Sequence, residues 1–256
     1  MSKRLNRRDF LKVTALAAGA AAATRAAGKA AASENGSHGP NQWAMVIDQS
    51  KCIGCGYCTL ACQAHNHINP DIQWTRVEPA GRADGAEVFL PRPCMQCTKA
   101  PCVDVCHVKA PYYRSGGIVM MDYDRCIGCR YCEVACPYQA RSFNWKAFDG
   151  PNPAIPKWGQ AEVERRPRGV VEKCSFCYQR IDRGLALGLE PGVDADATPA
   201  CVVACPVGAR IFGDLNDPES NVSKALQARP TYRLRESLGT EPRVYYIPAG
   251  AKETEG

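Results

Sequence analysis

The stretch from Arg125 to Pro137 reads RCIGCRYCEVACP, and the stretch from Lys51 to Cys62 reads KCIGCGYCTLAC. Each sets four cysteines in the spacing C-x2-C-x2-C-x3-C. The protein has 16 cysteines, and all of them fall into four such quartets. In sequence order the quartets are Cys52, Cys55, Cys58 and Cys62; Cys94, Cys97, Cys102 and Cys106; Cys126, Cys129, Cys132 and Cys136; and Cys174, Cys177, Cys201 and Cys205. The second quartet is spaced C-x2-C-x4-C-x3-C, and residues 178–200 split the fourth.

The run C-x2-C-x2-C-x3-C-P is the signature of bacterial ferredoxins, in which thiolates hold iron–sulfur clusters. Three cysteines on a tight loop can converge on one cluster, and Gly54 and Gly128 let two of these loops turn sharply. The fourth cysteine ligates the other cluster of a pair. We therefore expect each fourth cysteine to have entered a helix and to point away from its own loop. The four quartets predict four [4Fe–4S] clusters.

Zinc and disulfide bonds are the alternative uses of these cysteines. Structural zinc sites usually join two C-x2-C pairs across a longer gap, so a third cysteine close behind each pair would be surplus. Disulfide frameworks suit exported domains that are too small for a core, whereas this chain of 256 residues is long enough to have one. The local bunching of the cysteines favours iron–sulfur clusters over both.

The N-terminus indicates export. Residues 6–12 read NRRDFLK, the form of a twin-arginine motif, and an alanine-rich apolar run follows from Val13 to Ala23. The alternative is a retained membrane helix, but the run is short beside the ~20 residues that span a bilayer. We expect residues 1–32 to be a twin-arginine signal peptide, cleaved near Ala27 or Ala32, which delivers a folded protein to the periplasm.

The net charge argues against a nucleic-acid partner. The protein carries +6, with 32 basic and 26 acidic residues. Residues 1–32 contain seven basic residues and one acidic residue, so the whole excess lies in the predicted signal. The remainder is near neutral before any cluster binds, and no basic surface is expected to attract nucleic acid. Past the signal there is no long apolar segment, so we expect membrane attachment only through a partner.

The pattern along the sequence predicts an α+β fold. Each of the two repeated loops follows a short apolar run, Trp43–Asp48 or Gly117–Asp122, which reads as a strand, and a short helix follows each loop. Pairs of such units make two-cluster ferredoxin domains. Residues 146–169 are rich in Pro, Gly and Arg and predict a loop. In the tail, residues 216–256, we expect a helix near 223–227 and an extended segment at 244–248. The tail either wraps the body or reaches a partner.

Several phrases resemble those of one family. They are PCVDVC at 101–106, EKCSFC at 172–177, PAC at 199–201 and PTYR at 230–233, together with the order of the four quartets. The protein resembles the four-cluster iron–sulfur electron-transfer subunits of the molybdopterin oxidoreductase superfamily. These serve dimethyl sulfoxide, polysulfide, tetrathionate and formate enzymes. The similarity is greatest to exported members, such as those of the nitrite-reduction and sulfite-reduction-associated membrane complexes.

The resemblance implies how the ligands pair. Cluster 1 would be held by Cys52, Cys55, Cys58 and Cys205; cluster 2 by Cys174, Cys177, Cys201 and Cys62; cluster 3 by Cys94, Cys97, Cys102 and Cys136; and cluster 4 by Cys126, Cys129, Cys132 and Cys106. Residues 43–75 and 170–215 would then form one ferredoxin-like domain. Residues 76–145 would form a second domain inserted into it, followed by the loop 146–169 and the C-terminal tail 216–256.

The resemblance also implies a function. The protein would relay electrons between a catalytic molybdopterin or cytochrome subunit and a multi-span, quinone-reactive membrane subunit, with no substrate site of its own. The alternatives are a free periplasmic ferredoxin-like shuttle and a redox sensor, although no output domain for a sensor is evident.

Residues near the ligands are weaker candidates. Positive charges flanking the cysteines either raise cluster potentials or are simply solvated; they are Lys51, Arg125, Arg130, Lys173 and Arg180. His107 stands where the family usually has proline, and it is either a surface residue or a redox-linked one. His65 and His67 are expected to be polar helix-end residues rather than ligands.

Overall fold

A computed structural model describes residues 39–250 of the protein. The predicted signal, residues 1–32, lies outside the described residues. The strands are β1 Trp43–Asp48, β2 Arg76–Ala83, β3 Ala86–Arg92, β4 Pro111–Tyr113, β5 Val119–Met121, β6 Arg141–Phe143, β7 Val171–Lys173, β8 Arg210–Asp214 and β9 Val244–Ile247. The α-helices are α1 Tyr57–His65, α2 Pro101–Asp104, α3 Tyr131–Ala135, α4 Tyr178–Ala186, α5 Ala200–Val203 and α6 Asn221–Ala228. Single 3-10 turns lie at Ser115–Gly117, Ala195–Ala197 and Glu236–Leu238.

Strand β1 is the centre of a three-stranded sheet in the order β8-β1-β9. All six of its residues are buried, which suits the apolar run that predicted it. Strand β8 runs antiparallel to β1 with Trp43 opposite Asp214, and β9 runs parallel to it with Asp48 opposite Ile247. This sheet joins the segment that precedes the first quartet to the end of the fourth quartet and to the tail.

The remaining strands form two-stranded pairs, β2 with β3, β4 with β5 and β6 with β7. The strand predicted over Gly117–Asp122 is present but is limited to Val119–Met121. It starts late because Gly116 and Gly117 take positive φ angles of 79° and 70° in a turn. Strands β6 and β7 pair Arg141 with Lys173, and so connect the end of the third quartet to the start of the fourth.

The short helices contain the third cysteine of each quartet. These are Cys58 in α1, Cys102 in α2, Cys132 in α3 and Cys201 in α5. Within the described residues the fourth cysteine is helical only in α1, which runs for nine residues through Cys62. The expectation that every fourth cysteine has entered a helix is therefore wrong for three quartets. Pro137 and Pro206 explain two of them, since the residue before a proline avoids the helical region.

The tail wraps the body. Helix α6 confirms the helix expected near residues 223–227, and β9 confirms the extended segment. Between them, the amides of Thr98 and Lys99 donate to the carbonyls of Glu241 and Thr240, at 2.9 and 3.1 Å. The amide of Arg243 donates to the carbonyl of Met95 at 2.9 Å. The tail thus contacts both β1 and the loop of the second quartet. In the part of the protein that the structure describes, no helix is long and apolar enough to cross a membrane.

One hydrophobic cluster contains buried cysteines from all four quartets. Trp43 stacks on Phe212 at 5.7 Å between ring centroids, and the same cluster includes Val119 and Met121 from the β4–β5 hairpin. The described residues, 39–250, belong to a single compact unit. The two predicted ferredoxin-like regions therefore share their core, and the boundary between them stays a prediction. The segment 146–169 has no helix or strand.

Candidate iron–sulfur sites

The first cavity lies against the loop of the first quartet, and its empty space, part of which is open to solvent, is about 330 Å³. Four cysteines line it, Cys52, Cys55, Cys58 and Cys205; we call them the Cys52 set. Its apolar walls are Ile53, Val77, Pro91, Val207 and Ala209. The structure thus brings the first three cysteines of quartet one together with the last cysteine of quartet four.

The empty space of the second cavity, part of which is open to solvent, is about 340 Å³. Its cysteines are Cys94, Cys97, Cys102 and Cys136; we call them the Cys94 set. Its apolar walls include Met95, Ala100, Val119 and Ala140. Here the first three cysteines of quartet two meet the last cysteine of quartet three, which repeats the exchange seen at the first cavity.

The remaining cysteines of quartets one and four lie close together. Burial raises the pKa of the Cys62 thiol well above its usual value, and the nearby Cys177, Cys174 and Cys201 thiols raise it further. The side-chain amide of Asn66 donates to the sulfur atoms of Cys62 and Cys177, at 3.6 and 3.4 Å. We call Cys62, Cys174, Cys177 and Cys201 the Cys174 set.

The last group is Cys106, Cys126, Cys129 and Cys132, which we call the Cys126 set. Burial raises the pKa of Cys132 to about 11, and interactions with Cys102, Cys106 and Cys126 contribute to the increase. These interactions place the fourth cysteine of quartet two beside the third quartet. Cys129 is exposed at the surface.

The chemistry of the thiols fits iron–sulfur clusters. All 16 cysteines are in the described residues, and all are free thiols. Burial raises the pKa of Cys177 to about 11 and those of Cys174 and Cys201 to about 12. Because a ligating thiol must lose its proton, metal binding at these positions releases protons. Among the described residues, no three His, Cys, Asp or Glu side chains meet closely enough to hold a single metal ion. The thiols of the Cys52 and Cys94 sets instead surround cavities.

Two buried arginines reach into these sites. Arg210, on β8, is 4% exposed. Its Nη2 donates to the sulfur of Cys58 at 3.4 Å and its Nη1 to the sulfur of Cys201 at 3.8 Å. It therefore contacts the Cys52 set and the Cys174 set at once. Its Nη2 also donates to the hydroxyl of Thr75 at 2.8 Å.

Arg141, on β6, is 3% exposed and lines the Cys94 cavity. Its Nη2 donates to the sulfur of Cys102 at 3.0 Å, and its charge counteracts the raised pKa of Cys132 in the Cys126 set. Its buried Nε finds no hydrogen-bond acceptor among residues 39–250. A buried donor without an acceptor is costly, so this atom fits a cavity whose occupant carries acceptor atoms such as sulfide.

Sequence analysis missed both arginines, although the sequence contains a signal. Residues 136–141 read CPYQAR and residues 205–210 read CPVGAR, so each arginine stands five residues after the fourth cysteine of a quartet. The shared form C-P-x-x-A-R places a charged residue on the buried strand that follows the loop. A charged residue in such a strand is rarely buried without a partner, and this anomaly could have identified the pair.

Lys173 lies between cysteines of the Cys174 set and the Cys94 set. It is 2% exposed, and its ammonium donates to the carbonyls of Cys174 and Val119. Burial lowers its pKa, while the charges of Cys94 and Cys174 act in the opposite direction. Gln96 also bridges this junction, because its amide donates to the Cys174 carbonyl at 2.8 Å and accepts from the Val119 amide at 2.8 Å.

The other flanking cations differ from Lys173. Lys51, Arg125 and Arg130 are exposed, and Arg130 lies over the ring of Trp145 at 4.6 Å from its centroid. Arg180 is buried but donates to the Glu162 carboxylate at 2.5 Å. Of the predicted flanking cations, Lys173 is thus the one that is buried between two ligand sets, and its effect on cluster potentials stays a prediction.

The histidines occupy ordinary polar positions. His107 stacks on Tyr131 with 6.1 Å between ring centroids. His65 Nδ1 lies 2.9 Å from the Glu162 carboxylate. His67 Nε2 accepts from Arg165 Nε at 2.8 Å, and burial together with neighbouring arginines lowers the pKa of His67. A redox role of His107 stays untested.

Exposure differs sharply between ligand sets. Cys55 of the Cys52 set and Cys129 of the Cys126 set are exposed. The cysteines of the Cys174 set are all buried. Beside the two exposed ligands, Ile53 and Ile127 present 59% and 68% of their surface to solvent. An electron carrier bound at either of these sets would lie nearest to a docked partner.

Three stretches match known domain families. Residues 86–149 and residues 125–209 each match a 4Fe-4S dicluster domain, and residues 43–64 match a 4Fe-4S binding domain. The first of these stretches contains the whole Cys94 set.

Relatives that align along most of the protein include iron–sulfur subunits of reductases. The iron–sulfur cluster-binding subunit of menaquinone reductase from Nitratidesulfovibrio vulgaris is 46% identical over 229 residues, covering 80% of this chain and 88% of the relative. A putative iron–sulfur subunit of dimethyl sulfoxide reductase from Halobacterium salinarum is 44% identical over 221 residues, covering 80% and 78%. A polysulfide reductase component from Wolinella succinogenes is 37% identical over 212 residues, covering 81% and 94%.

Proposed function

This protein belongs to the family of iron–sulfur electron-transfer subunits of molybdopterin-type reductases, and on that basis we propose that it carries four [4Fe–4S] clusters. Such a subunit transfers electrons within a respiratory reductase complex, while a separate subunit carries out catalysis. Membership of this family favours a subunit of a complex over a free shuttle. Bound clusters would supply one-electron carriers, and the protein supplies their ligands, insulation and charge.

The ligand assignment follows the four sets. The cavities of the Cys52 and Cys94 sets carry this proposal, because each is lined by three cysteines of one quartet and the fourth cysteine of another. The proximity of Cys62 to Cys177, and of Cys106 to Cys132, supports the other two sets. The same pairing supports two ferredoxin-like halves, one from quartets one and four and one from quartets two and three.

The contacts also support an order for electron transfer. Arg210 links the Cys52 set to the Cys174 set. The electrostatic interaction of Cys174 with Cys94 links the Cys174 set to the Cys94 set. Arg141 links the Cys94 set to the Cys126 set. Electrons would therefore pass between the exposed Cys55 and the exposed Cys129 through the buried Cys174 set and the Cys94 set, in which only Cys136 is partly exposed.

The partners follow from this arrangement. We place the catalytic subunit, with molybdopterin or a cytochrome, at one exposed set and a multi-span, quinone-reactive membrane subunit at the other. The relatives are named for menaquinone, dimethyl sulfoxide and polysulfide reductases, so both quinone and sulfur chemistry occur among them. Co-purification of the tagged protein tests this assignment, and its recovery alone from solubilised membranes would contradict it.

We also propose export by the twin-arginine route to the periplasm. The proposal rests on Arg7 and Arg8 and on cofactors that require folding before transport. Replacing both arginines by lysine should leave cluster-loaded protein in the cytoplasm. Periplasmic accumulation of the double variant at the unchanged level would contradict this route.

Serine variants test the ligand assignment. Anaerobically purified protein should hold about 16 iron and 16 sulfide per molecule, as four cubes require. Cys205→Ser should perturb the signal of the Cys52 set, and Cys136→Ser and Cys106→Ser those of the Cys94 and Cys126 sets. Electron paramagnetic resonance at controlled potentials distinguishes the signals. If Cys62→Ser and Cys52→Ser abolish the same signal, ligation is local and the assignment is wrong.

A further inference from the structure

The two C-P-x-x-A-R arginines occupy matching positions in the two halves of the protein. Arg210 donates to the third cysteine of quartet one and the third cysteine of quartet four, Cys58 and Cys201. Arg141 donates to the third cysteine of quartet two, Cys102, and interacts with the third cysteine of quartet three, Cys132. Arg210 therefore contacts both ligand sets of its half, and Arg141 contacts the Cys94 set and acts electrostatically on Cys132 of the Cys126 set.

The match extends to the other neighbours. The Nη1 of Arg210 contacts the thioether of Met45 at 3.7 Å, and the Nη1 of Arg141 contacts the thioether of Met121 at 3.6 Å. Both methionines lie on the strand that precedes a repeated cysteine loop. Neither arginine forms an ion pair with a carboxylate in the described residues. The nearest negative charge available to each is thus the thiolate sulfur of the cysteines.

This arrangement has a direct electrostatic consequence. Hydrogen bonds to the sulfurs and local charge set the reduction potential of an iron–sulfur cluster. A buried guanidinium stays charged because an arginine does not lose its proton in proteins, and its charge acts strongly in a poorly solvated interior. A fixed positive charge stabilises the reduced, more negative state. One arginine shared by two sets must therefore act on both.

We propose that Arg210 and Arg141 are positioning residues that raise the reduction potentials of the clusters in pairs, Arg210 for the Cys52 and Cys174 sets and Arg141 for the Cys94 and Cys126 sets. The proposal rests on the four-cluster function above. Each guanidinium shifts the potentials of both carriers of its half in the same direction. The link between the halves, at Lys173, is not part of either pair.

Redox titration of single variants tests the pairing, with the potential of each cluster followed by electron paramagnetic resonance. In Arg210→Gln, the reduction equilibrium of the Cys52 and Cys174 clusters should become at least tenfold less favourable, which is ~59 mV for one electron. The Cys94 and Cys126 clusters should change by less than threefold. Arg141→Gln should give the mirror image. The charge-retaining variants Arg210→Lys and Arg141→Lys should recover more than half of each shift.

The pattern separates this role from a structural one. A shift in only one cluster of a pair, an equal shift in all four clusters, or no shift would overturn the proposal. A wild-type protein with fewer than four cluster signals would instead contradict the proposed cluster content. Each glutamine variant is the control for the other, because both remove a buried arginine from the same motif.

A third variant decides the matter if the glutamine variants bind too little iron. Thr75→Val removes the hydroxyl that accepts from Arg210 Nη2 at 2.8 Å and leaves the guanidinium in place. The Nη2 group of Arg210 then keeps only the sulfur of Cys58 as an acceptor, so its hydrogen bond to Cys58 should shorten and the potential of the Cys52 cluster should rise, opposite in sign to the effect of Arg210→Gln. An unchanged or lowered potential in Thr75→Val would overturn the proposal.

Discussion

The loops Lys51–Cys58 and Arg125–Cys132 are nearly identical in sequence, yet different parts of the protein cover them. Both turn through a glycine with positive φ, 71° at Gly54 and 69° at Gly128. At Gly54 the turn faces the ring of Phe89, on the β2–β3 hairpin. At Gly128 it faces the carbonyl oxygen of Gly169, at the end of the connecting loop. The motif determines the loop, whereas distant segments determine what packs on it.

The surroundings differ in other ways. The first loop follows the central strand of a sheet and leads into the nine-residue helix α1, whereas the second follows a hairpin strand and leads into the five-residue helix α3. Beside the second loop, Val134 and Trp145 are 80% and 63% exposed. Beside the first, Tyr57 is partly covered by Trp158 at 4.5 Å. Two surfaces this different suit two different partners, as the proposed function requires.

The largest effect is expected from removal of the tail. Of these two loops, only the first follows a strand that shares a sheet with the tail. A variant ending at Gly239 lacks Val244, Tyr246 and Ile247, each 2% exposed or less. At ~1.5–3 kcal/mol for each of these three buried side chains, the free energy of unfolding should fall by ~4.5–9 kcal/mol. We expect the Cys52 signal to be lost before the Cys126 signal, as measured by paramagnetic resonance during thermal unfolding.

A variant ending at Gly250 is the control, because it keeps every described residue of the tail. It should retain both signals and the melting temperature of the full-length protein. Loss of the Cys126 signal before the Cys52 signal in the Gly239 truncation would show that the tail does not distinguish the two loops.

Replacing each loop glycine by alanine should show how strongly the segment that covers each loop restricts its turn. A Cβ at Gly128 would clash with a backbone carbonyl that is held in place, since the Gly169 amide donates to the Asn144 carbonyl at 2.9 Å. A Cβ at Gly54 would lie 2.5 Å from the end of the Phe89 side chain, which can rotate. In either variant the positive φ lowers the free energy of unfolding by ~1–2 kcal/mol, and overpacking lowers it by a further ~1–3 kcal/mol. The loss from overpacking should be at the upper end of this range in Gly128→Ala.

Gly56→Ala is the matched control, since it has φ of 75° but nothing within 4 Å of a new Cβ. Thermal unfolding of the cluster-loaded proteins should rank the losses as Gly128→Ala, then Gly54→Ala, then Gly56→Ala. Equal losses in the three variants would mean that backbone conformation alone, and not the covering segment, determines the cost.

These comparisons also show how far the sequence could predict the molecule. The cysteine spacing predicted the loops and identified the candidate ligands, because the geometry of the three cysteines on one loop is local. The strand Trp43–Asp48 was evident because it is buried on both faces. Prolines after Cys136 and Cys205 should have indicated that the helices end before the fourth cysteine, and the prediction of a helix there was wrong.

Contacts between distant residues were beyond local reasoning. Nothing near Gly128 in the sequence indicates that Gly169 covers it, and nothing in the tail indicates that Arg243 donates to the Gln96 carbonyl at 2.9 Å. The tail alternatives stayed open because an extended segment pairs equally well with its own body or with a partner. The buried Arg141 and Arg210 were missed because attention to charge was limited to residues adjacent to the cysteines.

The smallest expected effect concerns the one loop position that differs in both sequence and neighbours. Gly56 and Arg130 both precede a helix with positive φ, 75° and 60°. Arg130→Gly relieves left-handed strain of ~1–2 kcal/mol but loses an exposed cation–π contact worth ~0.5–1 kcal/mol and adds ~0.4–1 kcal/mol of unfolded-chain entropy. The net change in unfolding free energy should stay within ~1 kcal/mol. Gly56→Arg incurs the same strain of ~1–2 kcal/mol and recovers ~0.4–1 kcal/mol of unfolded-chain entropy, so its net loss of unfolding free energy should be ~0–1.6 kcal/mol. Arg130→Ala, which keeps most of the strain and removes the guanidinium, isolates the contact with Trp145.

Denaturant titrations under anaerobic conditions measure these changes in unfolding free energy. If Arg130→Gly destabilises the protein more than Gly56→Arg does, the aromatic contact supports the second loop far more than its exposure suggests. The difference between the two loops would then lie mainly in Trp145.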